Sequence, residues 1–394
     1  NKIRRVEYST GIISTYAGSG IPSSVDHADA TSGTLHYPRG LFLVAATNDL
    51  YITSYSGHVV RKVSGTTGAL TTIAGTGSPG FSGDGGAATA ATLHQPQGVW
   101  VSSLSGHVYI ADTSNHRIRV VDGGGSGIIS TIAGTGIQGF SGDGGLATTS
   151  TLSAPNSVLG GVDGDESLLY VSDKSNDRIR VLSLFAPTLA PTATPTATPT
   201  VAPTFSPQTL VLDLYISTFA GTGAASSTGD GGPASMAAIN QPHQTWIDSA
   251  QGYLYVAEYN GHRVRRVALG TGNIITTFAG TGIASSTGDG GQASSATLNA
   301  PTGVHGDSIG HVYISEFDAH QVRVVDTSSG IIEKYAGTTG SNGISGDGLA
   351  AISAQLYYPA YLAGDTAGNL FIADFYNNKI RRVEYSTGII STYA

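Results

Sequence analysis

The chain contains no cysteine, which excludes a disulfide scaffold and any thiolate metal site. Charged residues make up 12% of it, against about 25% in an ordinary soluble domain. The formal net charge is −8, which argues against nucleic-acid binding, since that needs a basic face. No apolar run is long enough to span a bilayer. There is no Asn-x-Ser/Thr acceptor for N-glycosylation, and helical periodicity is absent throughout. No signal h-region is present either, and the chain opens on Asn1 inside a motif, so it reads as a mature or internal piece with its targeting information missing.

What is present is repetition. Residues 1–17 (NKIRRVEYSTGIISTYA) recur unchanged as residues 378–394, a phase difference of 377. Other repeats in the chain have drifted. An unchanged copy therefore suggests one period, plus a short overlap, of something that continues in both directions. Assembly is the first place to look for function.

A second, shorter period runs inside the first. Ala-Gly opens a recurring segment at Ala17, Ala74, Ala133, Ala220, Ala279 and Ala336, with Ala394 poised to start another. The spacings are 57, 59, 87, 59, 57 and 58, so six units fill the period and one carries an insertion. Within a unit, residues 98–134 show the pattern best: GVWVSS, GHVYIAD, NHRIRVVD and GIISTIAG. Each is a short run rich in Val, Ile and Tyr that alternates with small or polar residues between Gly, Asn, Asp or Ser, as four successive antiparallel strands would. Six four-stranded units at fixed spacing predict an all-β, six-bladed β-propeller, whose blades bury their faces only against neighbouring blades.

The string IAGTG, SGDGG, L-x-x-P-x-G-V, YIAD and NHRIRV resembles the NHL-repeat family in its long-loop subtype. The resemblance covers nearly the whole chain outside 183–209. It implies a six-bladed ring and an interaction scaffold, since a minority of members are lyases or hydrolases. The first unit departs from the pattern: its loop, GIPSSVDHADATSG (20–33), lacks GDGG.

The insertion falls between strands three and four of the third unit. Pro187, Pro191, Pro195, Pro199, Pro203 and Pro207 recur every fourth residue. Proline fixes φ and lacks a donor, so the segment should be extended polyproline II, reaching roughly 70 Å at about 3.1 Å per residue. The expected division is 1–184 propeller blades, 185–208 Pro/Thr linker, and 209–394 the remaining blades. Read circularly, the two propeller segments are half-rings that pair with halves of neighbouring copies or with each other; a single closed ring with the linker bulging from one face is the rival. Thr188, Thr192, Thr194, Thr196, Thr198, Thr200, Thr204 and Ser206 are candidate O-glycosylation sites, an unmodified stiff spacer being the alternative.

Asp84, Asp143, Asp230, Asp289 and Asp347 occupy equivalent loop turns, where flanking glycines permit positive φ. A structural role is expected; calcium binding is the rival, but each turn offers one carboxylate. Asp112, Asp173, Glu258, Glu316 and Asp374, with Ser54 in the first unit, close strand two. They either ring one mouth of the channel or accept hydrogen bonds from backbone and arginine. The Arg-x-Arg pairs on strand three (Arg117/Arg119, Arg178/Arg180, Arg263/Arg265, and Arg4 or Arg381) are expected to pair with blade-to-blade carboxylates rather than RNA. His58, His116, His262 and His320 share one repeat position, His107 and His311 a second, His36 and His94 a third, which marks them as scaffold. His243 and His305 lie off that pattern, near the channel. The expected function is a structural unit of an extracellular or cell-surface array, bound to copies of itself and carrying glycans, without enzyme activity, cofactor or metal. An adhesion or ligand-binding propeller is the alternative, and a channel-centred hydrolase or lyase the third.

Overall fold

A computed structural model describes residues 35–161, 165–184 and 214–392, together with Asp26 and the backbone of residues 3–6 and 13–17. The Pro/Thr linker with its candidate hydroxyls Thr188 to Ser206, and the 20–33 loop apart from Asp26, lie outside the described residues.

The alternating runs fold as the strands of six antiparallel blades. Blade one is Pro38–Val44, Asp49–Ser54, Val59–Val63 and Leu70–Ala74, ordered from the axis outward. Blade two runs from Val99–Val101 to Ile129–Ala133, and blade three from Pro155–Gly160 to Tyr215–Ala220. Blades four, five and six start at Pro242–Asp248, Pro301–Gly306 and Pro359–Gly364. They end at Ile275–Ala279, Ile331–Ala336 and Ile389–Thr392.

Each blade hides its apolar faces against two neighbours, and there is one buried cluster for each of the six junctions. The junction that closes the ring sets Leu41, Leu50 and Ile52 of blade one against Tyr361, Phe371 and Ile380 of blade six. Strand Arg178–Ser183, before the linker, pairs with Tyr215–Ala220, after it. The two halves thus complete one another in a single chain, so neighbouring copies are not needed to close this ring.

A polar latch crosses every junction. His58, His116, Asp177, His262, His320 and Asn378 sit at the tip between strands two and three, all with φ between 50° and 59°. Each accepts the backbone N–H of the residue before the first-strand proline of the next blade. The six donors are Gln95, Ala154, Gln241, Ala300, Tyr358 and Tyr37, at 2.7–3.2 Å. The last pair, Asn378 to Tyr37, ties blade six to blade one.

In the four histidine latches Nδ1 is the acceptor, so the ring must be neutral, and burial lowers all four pKa values from 6.5. A lowered folded pKa means that the unfolded chain binds the extra proton first. The latch contribution is therefore complete above about pH 6.5 and is lost as the pH falls below it. The buried carboxyls Asp112, Asp173 and Asp374, raised by burial to about 6, act with the opposite sign. A comparison isolates the histidines: replacing all four by asparagine, as at Asn378, should give a protein whose melting temperature relative to the parent rises as pH falls from 6.5 to 5. Parallel melting curves across that range would refute the titrating latch.

The long loops seal the outer edges. Gly85, Gly144, Gly231, Gly290 and Gly348 donate their N–H to Ile129, Ile216, Ile275, Ile332 and Ile390 of the outermost strands, at 2.8–2.9 Å. An open edge strand would otherwise template pairing with other chains.

Candidate functional site

Two rings of side chains approach the axis at the face where the first strands begin. The residue after each first-strand proline supplies the inner ring: Arg39, Gln97, Asn156, His243, Thr302 and Ala360. The residue after each strand-two carboxylate, or after Ser54, supplies the mouth: Tyr55, Thr113, Lys174, Tyr259, Phe317 and Phe375. The backbone repeats six-fold here, yet the chemistry does not.

Four of the mouth residues form an arc. Ring centroids run from Tyr259 to Phe317 (6.2 Å), to Phe375 (6.0 Å) and to Tyr55 (6.2 Å). The Arg39 guanidinium lies 5.4 Å and 5.6 Å from the Phe375 and Tyr55 centroids. His243 stacks on Tyr259 at 5.0 Å. Burial, helped by Lys174 and Arg39, holds the His243 pKa well below 6.5 and keeps the ring neutral. Burial and the Arg39 charge push the Lys174 ammonium down to about 8.

Deeper in, polar side chains close the axis. The Tyr361 hydroxyl of blade six donates across the ring to the Asn156 carbonyl at 3.1 Å and also meets the Asn156 side chain. Asn156 in turn bonds Gln97, and Gln244 Nε2 donates to Leu362 O at 2.9 Å. On the far side of this plug lies a cavity of about 200 Å³ lined by Phe42, Trp100, Trp246 and His305. Burial lowers the His305 pKa to about 4. His243 and His305 therefore face opposite ends of the axis and cannot share a catalytic centre.

The remaining candidates lie away from the axis. Asp84, Asp143, Asp230, Asp289 and Asp347 each meet a fully buried third-strand arginine: Arg119, Arg180, Arg265, Arg323 and Arg381, at 2.6–2.9 Å. In blade one Asp26 pairs with Arg61 at 2.9 Å, so the departing first loop still supplies its carboxylate. The partner arginine belongs to the sheet that the loop wraps, so the pairing is within a blade rather than between blades. In blades two and three the outer arginine stacks on a loop ring, Arg117 over Phe81 at 3.7 Å and Arg178 over Phe140 at 3.6 Å, whereas Arg263 donates to the Ser227 and Thr281 carbonyls at 2.7 Å.

Asp112, Asp173, Glu258, Glu316 and Asp374 are all buried, so they do not ring the mouth. Asp112 shows their role: it accepts from His94 N (2.8 Å), Asn115 Nδ2 (2.8 Å) and Arg119 Nη1 (3.5 Å). Ser54 bonds His36 N in the same way. His107 bridges Glu166 and Asp122, and His311 meets Asp307. Among the described residues no cluster of His, Asp and Glu could hold a metal ion.

The family model of the NHL repeat matches residues 93–121, the stretch that carries the blade-two loop end, its Pro-x-Gly entry, the strand-two carboxylate and the Arg-x-Arg strand. One repeat of this β-propeller, in blade two, is thus similar to the NHL repeat. Similar curated proteins include NHL repeat-containing protein 2 of Homo sapiens, 25% identical over 328 residues, which covers 80% of this chain and 42% of that protein. Protein SUPPRESSOR OF QUENCHING 1, chloroplastic, of Arabidopsis thaliana is 25% identical over 360 residues, covering 90% of this chain and 31% of that protein. The propeller thus spans less than half the length of these relatives. Among solved structures, a structural genomics protein of unknown function from Bacteroides thetaiotaomicron shares the fold, with a TM-score of 0.59, 18% identity, and coverage of 94% of this chain and 74% of that one.

Sequence reasoning placed His243 near the channel but missed the other axial residues of this propeller. Arg39, Lys174, Tyr361 and the aromatic arc carry no motif. A signal was available, however: aligning the six units on the first-strand proline exposes an arginine and a histidine where the other units have Gln, Asn, Thr and Ala.

Proposed function

We propose that this propeller is a non-enzymatic scaffold repeated head to tail in an extracellular or cell-surface array. One observation carries the reading. Residues 3–6 and 13–17 pair as a separate two-stranded sheet that belongs to no blade. Their register is Arg4 with Thr15, Arg5 with Ser14 and Val6 with Ile13. Strands three and four of blade six repeat it 377 residues on, with Arg381 opposite Thr392, Arg382 opposite Ser391 and Val383 opposite Ile390.

A lone hairpin is marginally stable in water. This one has the sequence and pairing of half a blade, and strands one and two of a preceding copy would complete it. The Pro/Thr segment is the natural tether: it precedes strand Tyr215–Ala220, which one propeller could donate to the next as a swapped element. Its evenly spaced threonines suit O-glycosylation, which would protect a stretched joint.

The test is the native material. Electron microscopy and mass measurement should show chained propellers, whereas a discrete species of about 40.1 kDa would remove the array. Independently, peptides from 186–208 should carry heterogeneous glycan mass that β-elimination removes. An unmodified peptide would end the glycosylated-stalk reading and leave a bare spacer.

A further inference from the structure

We propose that the aromatic mouth of the propeller binds a ring-bearing organic carboxylate, with Arg39 and Lys174 as the cationic contacts and His243 as a floor donor. The inference goes beyond the array, since no residue of the mouth belongs to the terminal hairpin.

The first support is broken symmetry. The repeats place equivalent backbone at six positions, and at five features they place equivalent chemistry as well: latch acceptor, first-strand proline, strand-two acceptor, loop aspartate and buried arginine. At the axial mouth the residues diverge. Scaffold needs do not explain a lone arginine, a lone lysine and a lone histidine converging from blades one, three and four.

The second support is uncompensated charge. Arg39 makes no hydrogen bond or ion pair among the described residues, and neither does Lys174. Elsewhere this protein pairs its buried guanidiniums, as the six loop-aspartate bridges show. Two partly buried cations facing one another are costly unless an anion joins them. The influence of the exposed Asp318 falls on Tyr259, His262, His320 and Tyr358 rather than on either cation.

The third support is an orphaned polar side chain. His243 is 2% exposed, and neither ring nitrogen has a hydrogen-bond partner. Buried polar atoms are nearly always satisfied, so an exception asks for an occupant. A neutral imidazole offers one donor and one acceptor, which suits a carboxylate oxygen together with a neighbouring hydroxyl.

The arc from Tyr259 to Tyr55 sets the other half of the ligand. Its aromatic faces and edges offer apolar contact to a flat or cyclic body, while the guanidinium, stacked on Tyr55 and Phe375, is held in one orientation for a bidentate carboxylate. A sugar acid and an aromatic acid share this chemistry, a carboxylate on a ring.

Calorimetric titration of the full chain with glucuronate, 4-hydroxybenzoate, glucose and inorganic phosphate tests the assignment. At least one of the two carboxylates should bind with Kd of about 1 mM or tighter, and the tighter one identifies the source. Glucose should not bind, and phosphate should bind more weakly than the better carboxylate. Arg39→Gln and Lys174→Gln should each weaken binding by at least about tenfold, the loss of a charge-assisted contact, with an unchanged circular-dichroism spectrum and melt. Equal binding of phosphate would overturn the ring requirement. Binding of glucose, no binding of either carboxylate, or unchanged affinity in both folded variants would overturn the site.

Discussion

Asp112→Ala should destabilise the propeller by about 3–5 kcal/mol, the usual cost of stripping one partner from a buried ion pair. The carboxylate is fully buried and so is Arg119, whose Nη1 it faces. Its removal also orphans the His94 N–H and leaves the Asn115 amide with the Gly80 carbonyl as its remaining partner. Two controls separate burial from charge. Asp112→Asn keeps the shape and one acceptor, and should cost less. Asp84→Ala removes the half-exposed partner of the same arginine, whose other contacts remain, and should cost under about 1 kcal/mol. Urea denaturation of the three variants reads this order directly; a loss at Asp84 as large as that at Asp112 would mean that the loop, not the buried carboxylate, secures the arginine.

Gly40→Ala is expected to cost about 3 kcal/mol, the upper part of the range for overpacking a filled interior. A Cβ at Gly40 would stand 2.0 Å from the Gln97 carbonyl oxygen of blade two, and that neighbour is backbone, which cannot rotate aside. The same approach recurs at Gly98, 2.7 Å from Ser157 Cα, and at Gly303, 2.5 Å from Ala360 O. These glycines let first strands crowd around the axis. Gly86→Ala is the control at an exposed site without a left-handed φ, where a Cβ meets only the Gly83 carbonyl oxygen, at 3.4 Å. A mild melting shift at Gly40, equal to that at Gly86, would show that the inner strands can move apart freely.

Much of the architecture was legible because strand periodicity and unit spacing are local properties of the chain. The L-x-x-P-x-G-V run, for example, marks the first strand and its close approach, and the GDGG turn marks the loop that seals the outer edge. Ring closure was harder to read. The insertion after Ser183 invited a partition between copies, whereas pairing of Arg178–Ser183 with Tyr215–Ala220 depends on where blades two and four hold those strands. Asp112 illustrates a second limit: its position after strand two was plain, but whether it faced the mouth or the sheet interior turned on the twist that brings Arg119 beneath it.

The number of blades, the four-strand unit, the scaffold role of the repeated histidines and the duplicated half-blade could all be read along the chain, since they are matters of period and identity. Tertiary structure alone decided that Arg39, Lys174 and His243 meet, although they lie in three different blades. Convergence at an axis is set by how six sheets tilt around it: equivalent positions can be aligned along the chain, but that they face one another is a property of the ring.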